Sequence, residues 1–161
     1  MLRGKKRRLH LYEVEGIKNP LLDRSKIPQG LYDRYHEKIS SLDEFPVDII
    51  LPVEALDGTV GHSRIVSFFS YAIADMLNLT DREKQDIALA GFLCDIGKTI
   101  VPHHILNRTG SLNKDEFEEV KKHCREGVRA LKALGFENES VFQSILSHHE
   151  CFNGTGYPDG L

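Results

Sequence analysis

The sequence predicts an all-α fold, a helical bundle preceded by a short irregular N-terminal extension. From Gly61 onward, apolar residues recur three and four positions apart, which places their side chains on one face of a helix. Residues 80–83 and 113–116 each pair a helix-capping side chain with a glutamate three positions later, the pattern of a capping box. With 161 residues, of which 40% are hydrophobic, the chain is long enough to bury one compact core.

Residues 1–60 are predicted to be an extension or linker whose function the sequence does not indicate. Four prolines interrupt this part of the chain, at positions 20, 28, 46 and 52. Residues 9–17 fit a short strand, and residues 31–41 fit a helix. The short apolar run at 48–52 fits either type, because helix and strand look alike at that length.

The domain proper is predicted to occupy residues 61–161 and to contain four main helices. The first has an apolar face formed by Ile65, Phe68, Phe69, Ala72, Ile73, Met76 and Leu77. The second begins at Thr80 and runs toward Asp95. The third begins at Asn113 and ends before Gly135, with an inward face formed by Phe117, Val120, Cys124, Val128 and Leu131. The last begins with Ser140 as its cap and carries the 148–149 histidine pair, after which glycines and a proline force a loop.

The charge distribution and the cysteines exclude several classes of protein. Residues 1–8 carry five basic side chains, whereas residues 9–161 carry 16 basic and 24 acidic ones, so the acidic body argues against DNA binding. The basic start is therefore expected to be a solvated tail. No apolar run approaches the ~18–20 residues of a membrane span. Three cysteines without a CxxC pair, and without a secretory signal, indicate reduced thiols in the cytoplasm.

Four of the eight histidines occupy special positions in the helical pattern. His62 opens the first helix, His123 lies inside the third, and His148 and His149 close the last. A single inward histidine is most simply a core residue with a hydrogen-bond partner. Several on separate helices would repel one another when protonated, and a shared metal ion removes that problem. Asp95, at the end of an apolar helix, is the expected anionic ligand.

The run Cys94-Asp95-Ile96-Gly97-Lys98 adds further candidates around that carboxylate. Cys94 is either a thiolate ligand, for which Zn or Fe would be preferred, or a small buried residue. Gly97 is expected to let the chain turn away. Lys98 either reaches an anionic substrate or is a solvated lysine at a helix end.

These stretches resemble the HD-GYP domain in order and spacing. The matching residues are Gly61-His62-Ser63, Asp95-Ile96-Gly97-Lys98, His123, His148-His149-Glu150 and Gly154-Thr155-Gly156-Tyr157-Pro158. The histidine pair followed by glutamate and the Gly-x-Gly-Tyr-Pro run are the specific part of the match. The resemblance implies an HD-type bundle with a two- or three-metal centre that hydrolyses cyclic di-GMP to linear pGpG or GMP.

The resemblance also implies a role for each matching residue. His62 would bind the first metal, Asp95 would bridge both metals, and Lys98 would contact a substrate phosphate. The second metal would be completed by His123, His148 and His149. The signature loop beside the guanine-binding groove would be formed by Gly156, Tyr157 and Pro158. Glu150 is expected either to orient a ligand histidine or to face solvent.

Two departures from the family pattern both affect the first metal. Cys94-Asp95 stands where the family has His-Asp, and a further family aspartate would lie beyond Leu161. We therefore expect one well-held divalent metal, Fe or Mn with Zn as an alternative, a second metal weak or absent, and impaired hydrolysis. The alternative is a catalytically silent signalling module that recognises cyclic di-GMP or a GGDEF-domain partner. A hydrolase for another nucleotide or phosphate ester is a third interpretation, against which the Gly-Thr-Gly-Tyr-Pro run counts.

In the family that the sequence resembles, further helices follow and cover the faces of those seen here. Because the sequence ends at Leu161, the apolar stripes at 61–79 and 141–149 are expected to be partly exposed. Exposed stripes favour association, so a homodimer is one expected outcome. Coverage by residues 1–60, or by further chain in a longer gene product, are the alternatives.

Overall fold

The computed structural model describes residues 29–39, 50, 52–55 and 58–161. Within these ranges the secondary structure is helical and no strand occurs, which confirms the predicted all-α fold. The strand predicted over residues 9–17 lies outside the described part of the chain. Among the described helices, none combines the length and the apolar composition that crossing a membrane requires.

The helices form a bundle in which neighbouring segments pack directly on one another. Their bounds are α1 Gln29–Lys38, α2 His62–Met76, α3 Asp81–Leu93, a 3₁₀ helix Ile96–Ile100, α4 His103–Leu106, α5 Lys114–Lys121, α6 His123–Ala133 and α7 Glu139–Ser147. Helix α3 packs against α2 on one side and α7 on another, while α6 contacts both α7 and the 3₁₀ helix. The centre of the core is formed by Tyr71, Leu93, Leu131, Val141 and Ile145.

Helix α1 belongs to the same core as the rest of the bundle. It matches the helix predicted over residues 31–41, and its Tyr35 and Ile39 are buried with the core residues. The Tyr35 hydroxyl donates to Ser67 Oγ at 3.2 Å, and its ring meets Phe68 edge-on at 5.3 Å. In the run at 48–52 that fitted either type, the two described residues, 50 and 52, are helical, and residues 53–55 continue as helix.

The helix ends agree with the sequence at three positions and differ at one. Thr80 with Glu83 and Asn113 with Glu116 form the two predicted capping boxes. Gly135 adopts a left-handed φ of 81° just after α6, which is why glycine suits that position. The predicted cap of α7 was wrong, because Asn138 rather than Ser140 accepts the hydrogen bond from the Val141 N–H.

Two predicted apolar faces are also corrected by the packing. Helix α2 buries Ser63, Ser67, Phe68, Tyr71 and Ala74 against its neighbours, while Phe69, Ile73, Met76 and Leu77 face outward. Apolar residues surround most of this helix, so the repeat alone does not distinguish the buried side. The stripe at 61–79 is therefore partly exposed as expected, whereas the stripe at 141–149 is covered by α3 and α6.

The predicted third helix is interrupted near its middle. A one-residue turn at Lys122 separates α5 from α6. Phe117 of α5 is 42% exposed rather than inward, whereas Cys124 and Leu131 of α6 are fully buried. The turn places His123 at the first position of α6.

Candidate metal centre

Four of the predicted ligands converge at one end of the bundle. Asp95 lies between α3 and the 3₁₀ helix, His123 begins α6, and His148 and His149 directly follow α7. Each offers one ligand atom, and these four atoms all lie within 4.8 Å of one another. This is the set that the sequence assigned to the second metal.

The two remaining predicted ligands lie nearby but outside that four-residue group. His62 and Cys94 line the same cavity of about 420 Å³ as Asp95, His148 and His149. Residues 62 and 94 therefore line the same cavity as the cluster, but they do not belong to the group of four converging ligand atoms.

The tautomers of two histidines can be assigned from their backbone contacts. His123 Nδ1 lies 2.6 Å from Val120 O, and His148 Nδ1 lies 2.7 Å from Ile145 O. A carbonyl oxygen only accepts, so each Nδ1 carries the hydrogen and donates it. In a neutral ring the other nitrogen, Nε2, then carries no hydrogen and keeps its lone pair. Burial lowers the pKa of His123, which favours the neutral form of that ring.

The two lone pairs face each other in a manner that suits a bound cation. His123 Nε2 and His148 Nε2 are 3.2 Å apart, although neither has a hydrogen to donate in the neutral tautomers. Two imidazole nitrogens that bind one ion at ~2.0–2.1 Å lie roughly 2.8–3.4 Å apart, from octahedral to tetrahedral angles. Asp95 Oδ1 lies 3.7 Å from the first nitrogen and 4.0 Å from the second. The donor set and its spacing therefore fit a divalent metal ion.

His149 is held by the loop that follows it rather than by a carbonyl of its own helix. Its ring stacks on Tyr157 at 4.6 Å between centroids with an interplanar angle of 21°. Burial, together with the neighbouring rings of His148 and His123, lowers the pKa of His149 to about 4. The ring is therefore neutral at pH 7 and available as a ligand.

Lys98 lies beside the candidate metal ligands and pairs with one of them. Its Nζ donates to Asp95 Oδ2 at 2.9 Å, across one turn of the 3₁₀ helix. Burial alone would raise the pKa of Asp95, but the charge and hydrogen bond of Lys98 outweigh it and the pKa is lowered. Asp95 is thus an anion whose second oxygen, Oδ1, faces the two histidine nitrogens.

Cys94 has the environment of a small buried residue. Its Sγ donates to Gly91 O at 3.4 Å, and burial raises the pKa of the thiol to about 12. A metal ligand must be the thiolate, so this environment favours the structural alternative over the ligand alternative.

Gly97 has a different role from the expected one. A Cβ at this position would lie 1.9 Å from His123 O and 2.6 Å from Gly127 N. The glycine therefore allows the 3₁₀ helix to pack directly on the backbone of α6, rather than allowing the chain to turn away. This close approach brings Asp95 within reach of His123.

The signature loop folds back onto the segment that carries the histidine pair. A Cβ on Gly156 would lie 2.3 Å from Cys151 N, so only glycine fits there. Tyr157 N donates to His149 O at 3.1 Å, and the Tyr157–Pro158 peptide is cis. The Phe117 ring meets the Tyr157 ring edge-on at 5.8 Å.

Two glutamates near the site accept backbone hydrogen bonds that the sequence did not predict. Glu150 neither contacts a ligand histidine nor faces solvent alone: its carboxylate accepts hydrogen bonds from the backbone N–H groups of Asp159, Gly160 and Leu161. Glu54, buried, accepts from Gly61 N and Ser63 N at 2.7 Å each and so holds the residues on both sides of His62. Neither contact follows a local spacing rule, so no sequence pattern indicated them.

Comparison with known families agrees with this geometry. Residues 53–161 match the HD domain family. The chain belongs to the HD domain family. The HD domain implies binding of a divalent metal, and Asp95 with the three histidines is a group in this chain that could hold one. The resemblance to the HD-GYP subset is confirmed as well, because several curated relatives are cyclic di-GMP phosphodiesterases.

Three relatives illustrate the similarity. The cyclic di-GMP phosphodiesterase PA4108 of Pseudomonas aeruginosa is 42% identical over 103 residues, which cover 64% of this chain and 25% of the relative. A cyclic di-GMP phosphodiesterase of Thermotoga maritima is 28% identical over 159 residues, which cover 94% of this chain and 42% of the relative. The 3'3'-cGAMP-specific phosphodiesterase 1 of Vibrio cholerae is 32% identical over 103 residues, which cover 64% of this chain and 24% of the relative. The chain thus spans less than half the length of each of these relatives.

Proposed function

We propose that this chain is a metal-dependent phosphodiesterase domain that hydrolyses cyclic di-GMP to pGpG or GMP. The observation that carries the proposal is the convergence of His123 Nε2, His148 Nε2 and Asp95 Oδ1, three lone-pair atoms within 4.0 Å of one another. The names of the relatives support a cyclic dinucleotide as the substrate. The Gly-Thr-Gly-Tyr-Pro run beside the cluster counts against the third interpretation, a hydrolase for another nucleotide or phosphate ester.

The proposed cofactor is one tightly held divalent metal. Three imidazoles and one carboxylate suit Fe or Mn, and Zn is the alternative. The second ion is proposed to be weak or absent, since His62 and Cys94 stay outside the four-residue ligand group. The three free cysteines are consistent with the proposed cytoplasmic location.

The residues in and around the cluster are proposed to have different roles in the hydrolysis of a phosphodiester. When bound, the metal supplies an activated water and neutralises charge on the phosphate oxygens. Asp95 and the three histidines hold the ligand atoms together in a partly buried site. Lys98, whose Nζ lies 2.9 Å from Asp95 Oδ2, lines the same cavity and is proposed to contact a substrate phosphate there. The loop of Gly156, Tyr157 and Pro158 is proposed to border the base of the nucleotide.

A catalytically silent binding module is the alternative, favoured by the position of His62 and Cys94 outside the ligand group. Such a module would recognise cyclic di-GMP or a GGDEF-domain protein without turning substrate over.

A homodimer also stays a prediction. The outward Phe69, Ile73 and Met76 of α2 offer an apolar surface for one, and sedimentation over a concentration series would test it.

Metal analysis combined with turnover distinguishes the two functions. The chain is loaded separately with Mn²⁺, Fe²⁺ or Zn²⁺, its metal content is measured, and cyclic di-GMP and 3'3'-cGAMP are assayed as substrates. We expect one tight metal per chain and slow hydrolysis of cyclic di-GMP that Asp95→Asn abolishes. Binding of cyclic di-GMP without turnover under every metal condition favours the silent module. Two tightly held metals per chain would contradict the deficient first site.

A further inference from the structure

The carboxylate of Glu150 organises the end of the signature loop. Its Oε1 accepts from Asp159 N at 2.7 Å and from Gly160 N at 3.1 Å, and its Oε2 accepts from Leu161 N at 3.0 Å. Three consecutive backbone N–H groups directed at one carboxylate form an anion-binding nest. The residue that supplies this carboxylate directly follows the candidate ligand His149.

The loop so fixed is in turn the support of His149. Tyr157 lies two residues before the nest, its N–H donates to His149 O, and its ring stacks on the His149 ring. The Gly156 Cα packs so closely on residues 150 and 151 that a Cβ there would overlap their backbone. The chain from 149 to 161 thus closes on itself, with contacts at Glu150, Gly156 and Tyr157.

We propose that Glu150 is a positioning residue for the metal centre, acting through the loop and not through contact with an ion. By holding residues 159–161, it keeps the Tyr157 ring against His149, and that contact keeps the His149 ring directed toward Asp95 and His123. His149 lacks the Nδ1-to-carbonyl bond that orients His123 and His148. Its ring contacts the Tyr157 ring at 4.6 Å between centroids, and the rings of the candidate ligands His148 and His123 at 4.1 and 5.1 Å. Of these three contacts, the Tyr157 stack is the one that comes from outside the ligand group. This inference rests on the proposed metal centre and assigns the support of one of its ligands.

A metal-binding measurement separates positioning from general stability. The three accepted hydrogen bonds lie at exposed positions, so water replaces them when the carboxylate is removed. We therefore expect Glu150→Ala to leave the unfolding temperature of the metal-free chain nearly unchanged. The same variant should bind Co²⁺ about 10-fold to 100-fold more weakly, with an altered visible absorption spectrum, as is typical for loss of a residue that supports a ligand.

Additional variants follow the contact from Glu150 to His149. Glu150→Gln retains one carboxamide oxygen as an acceptor and should recover part of the Co²⁺ affinity. Tyr157→Ala should reproduce the loss, and the double variant Glu150→Ala with Tyr157→Ala should lose little more than either alone, since both act on one contact. Glu137→Ala, an exposed glutamate outside the loop, is the matched control and should bind Co²⁺ like the wild type.

The outcomes separate this inference from the proposed function. If the wild type binds Co²⁺ and Glu150→Ala binds it with the same affinity and the same spectrum, the positioning role is refuted while the metal centre stands. Fully additive losses in the double variant would refute the route through Tyr157. Absence of Co²⁺ binding by the wild type would refute the metal centre, and the positioning role with it.

Discussion

Gly97→Ala is expected to separate the 3₁₀ helix from α6 and so to damage the fold and the metal centre together. The new Cβ would lie 1.9 Å from His123 O and 2.6 Å from Gly127 N, whereas ordinary contact begins at 3.4 Å. The 3₁₀ helix must therefore move by about 1.5 Å to restore normal contact. Both neighbours are backbone atoms, so no side-chain rotation relieves the overlap.

The size of the effect follows from that displacement. Overpacking of a core costs about 1–3 kcal/mol, and we expect the upper end because the obstacle is backbone. For a chain of this length, ~3 kcal/mol lowers the unfolding temperature by roughly 6–12 °C. Asp95 precedes the glycine by two residues and lies 3.7 Å from His123 Nε2, so metal binding should weaken as well.

Thermal unfolding of the metal-free chain and a Co²⁺ titration measure the two effects. Gly30→Ala is the matched control, since its Cβ would meet its nearest neighbour, an Arg34 nitrogen, at an ordinary 3.6 Å. In helix α1 that change should alter stability by less than about 1 kcal/mol. An alanine at position 97 that leaves both the unfolding temperature and the Co²⁺ affinity at wild-type values would refute the packing argument.

Three further predictions test the helix cap, the histidines and Cys94. Asn138→Ala should lower the free energy of unfolding by about 1–2 kcal/mol, because it removes the cap of α7 and a bond to Asp86 Oδ1, whereas Ser140→Ala should have little effect in the same urea titration. The metal-free chain should lose stability as the pH falls from 6.5 toward 4. In that window the unfolded chain binds a proton at His149 and the folded chain does not, and a His149→Ala variant whose stability fell just as steeply would contradict this. Cys94→His should raise the amount of metal retained in equilibrium dialysis by placing an imidazole beside Asp95 in the cavity, and unchanged retention would argue against it.

Local patterns in the sequence predicted the features that depend on neighbouring residues. The capping boxes at Thr80 and Asn113 involve side chains three positions apart, and the structure contains both. The four residues that converge could be predicted too, because inward histidines on separate helices would repel one another when protonated unless they share a metal ion. Their meeting point depends on helix packing, which the apolar repeat specifies approximately.

Contacts between distant backbone segments were not predictable in the same way. The packing of Gly97 on α6 and the hydrogen bonds of Glu54 and Glu150 join parts of the chain whose separation follows no fixed period. For α7, the sequence predicted Ser140 as the cap, whereas the cap is Asn138, whose side chain also donates to Asp86 of α3. The exposed side of α2 was ambiguous because apolar residues lie on both of its sides.

The contacts made by residues before α2 matter for the choice of boundaries in a recombinant fragment. Glu54 accepts hydrogen bonds from the backbone nitrogens of Gly61 and Ser63, on either side of His62. Tyr35 and Ile39, further toward the N-terminus, are part of the hydrophobic core. A recombinant fragment that begins at residue 61 would lack the acceptor for the Ser63 amide and would expose the apolar core surface that Tyr35 and Ile39 cover. Residues around 29 are thus a safer starting point for any shortened version or domain transplant.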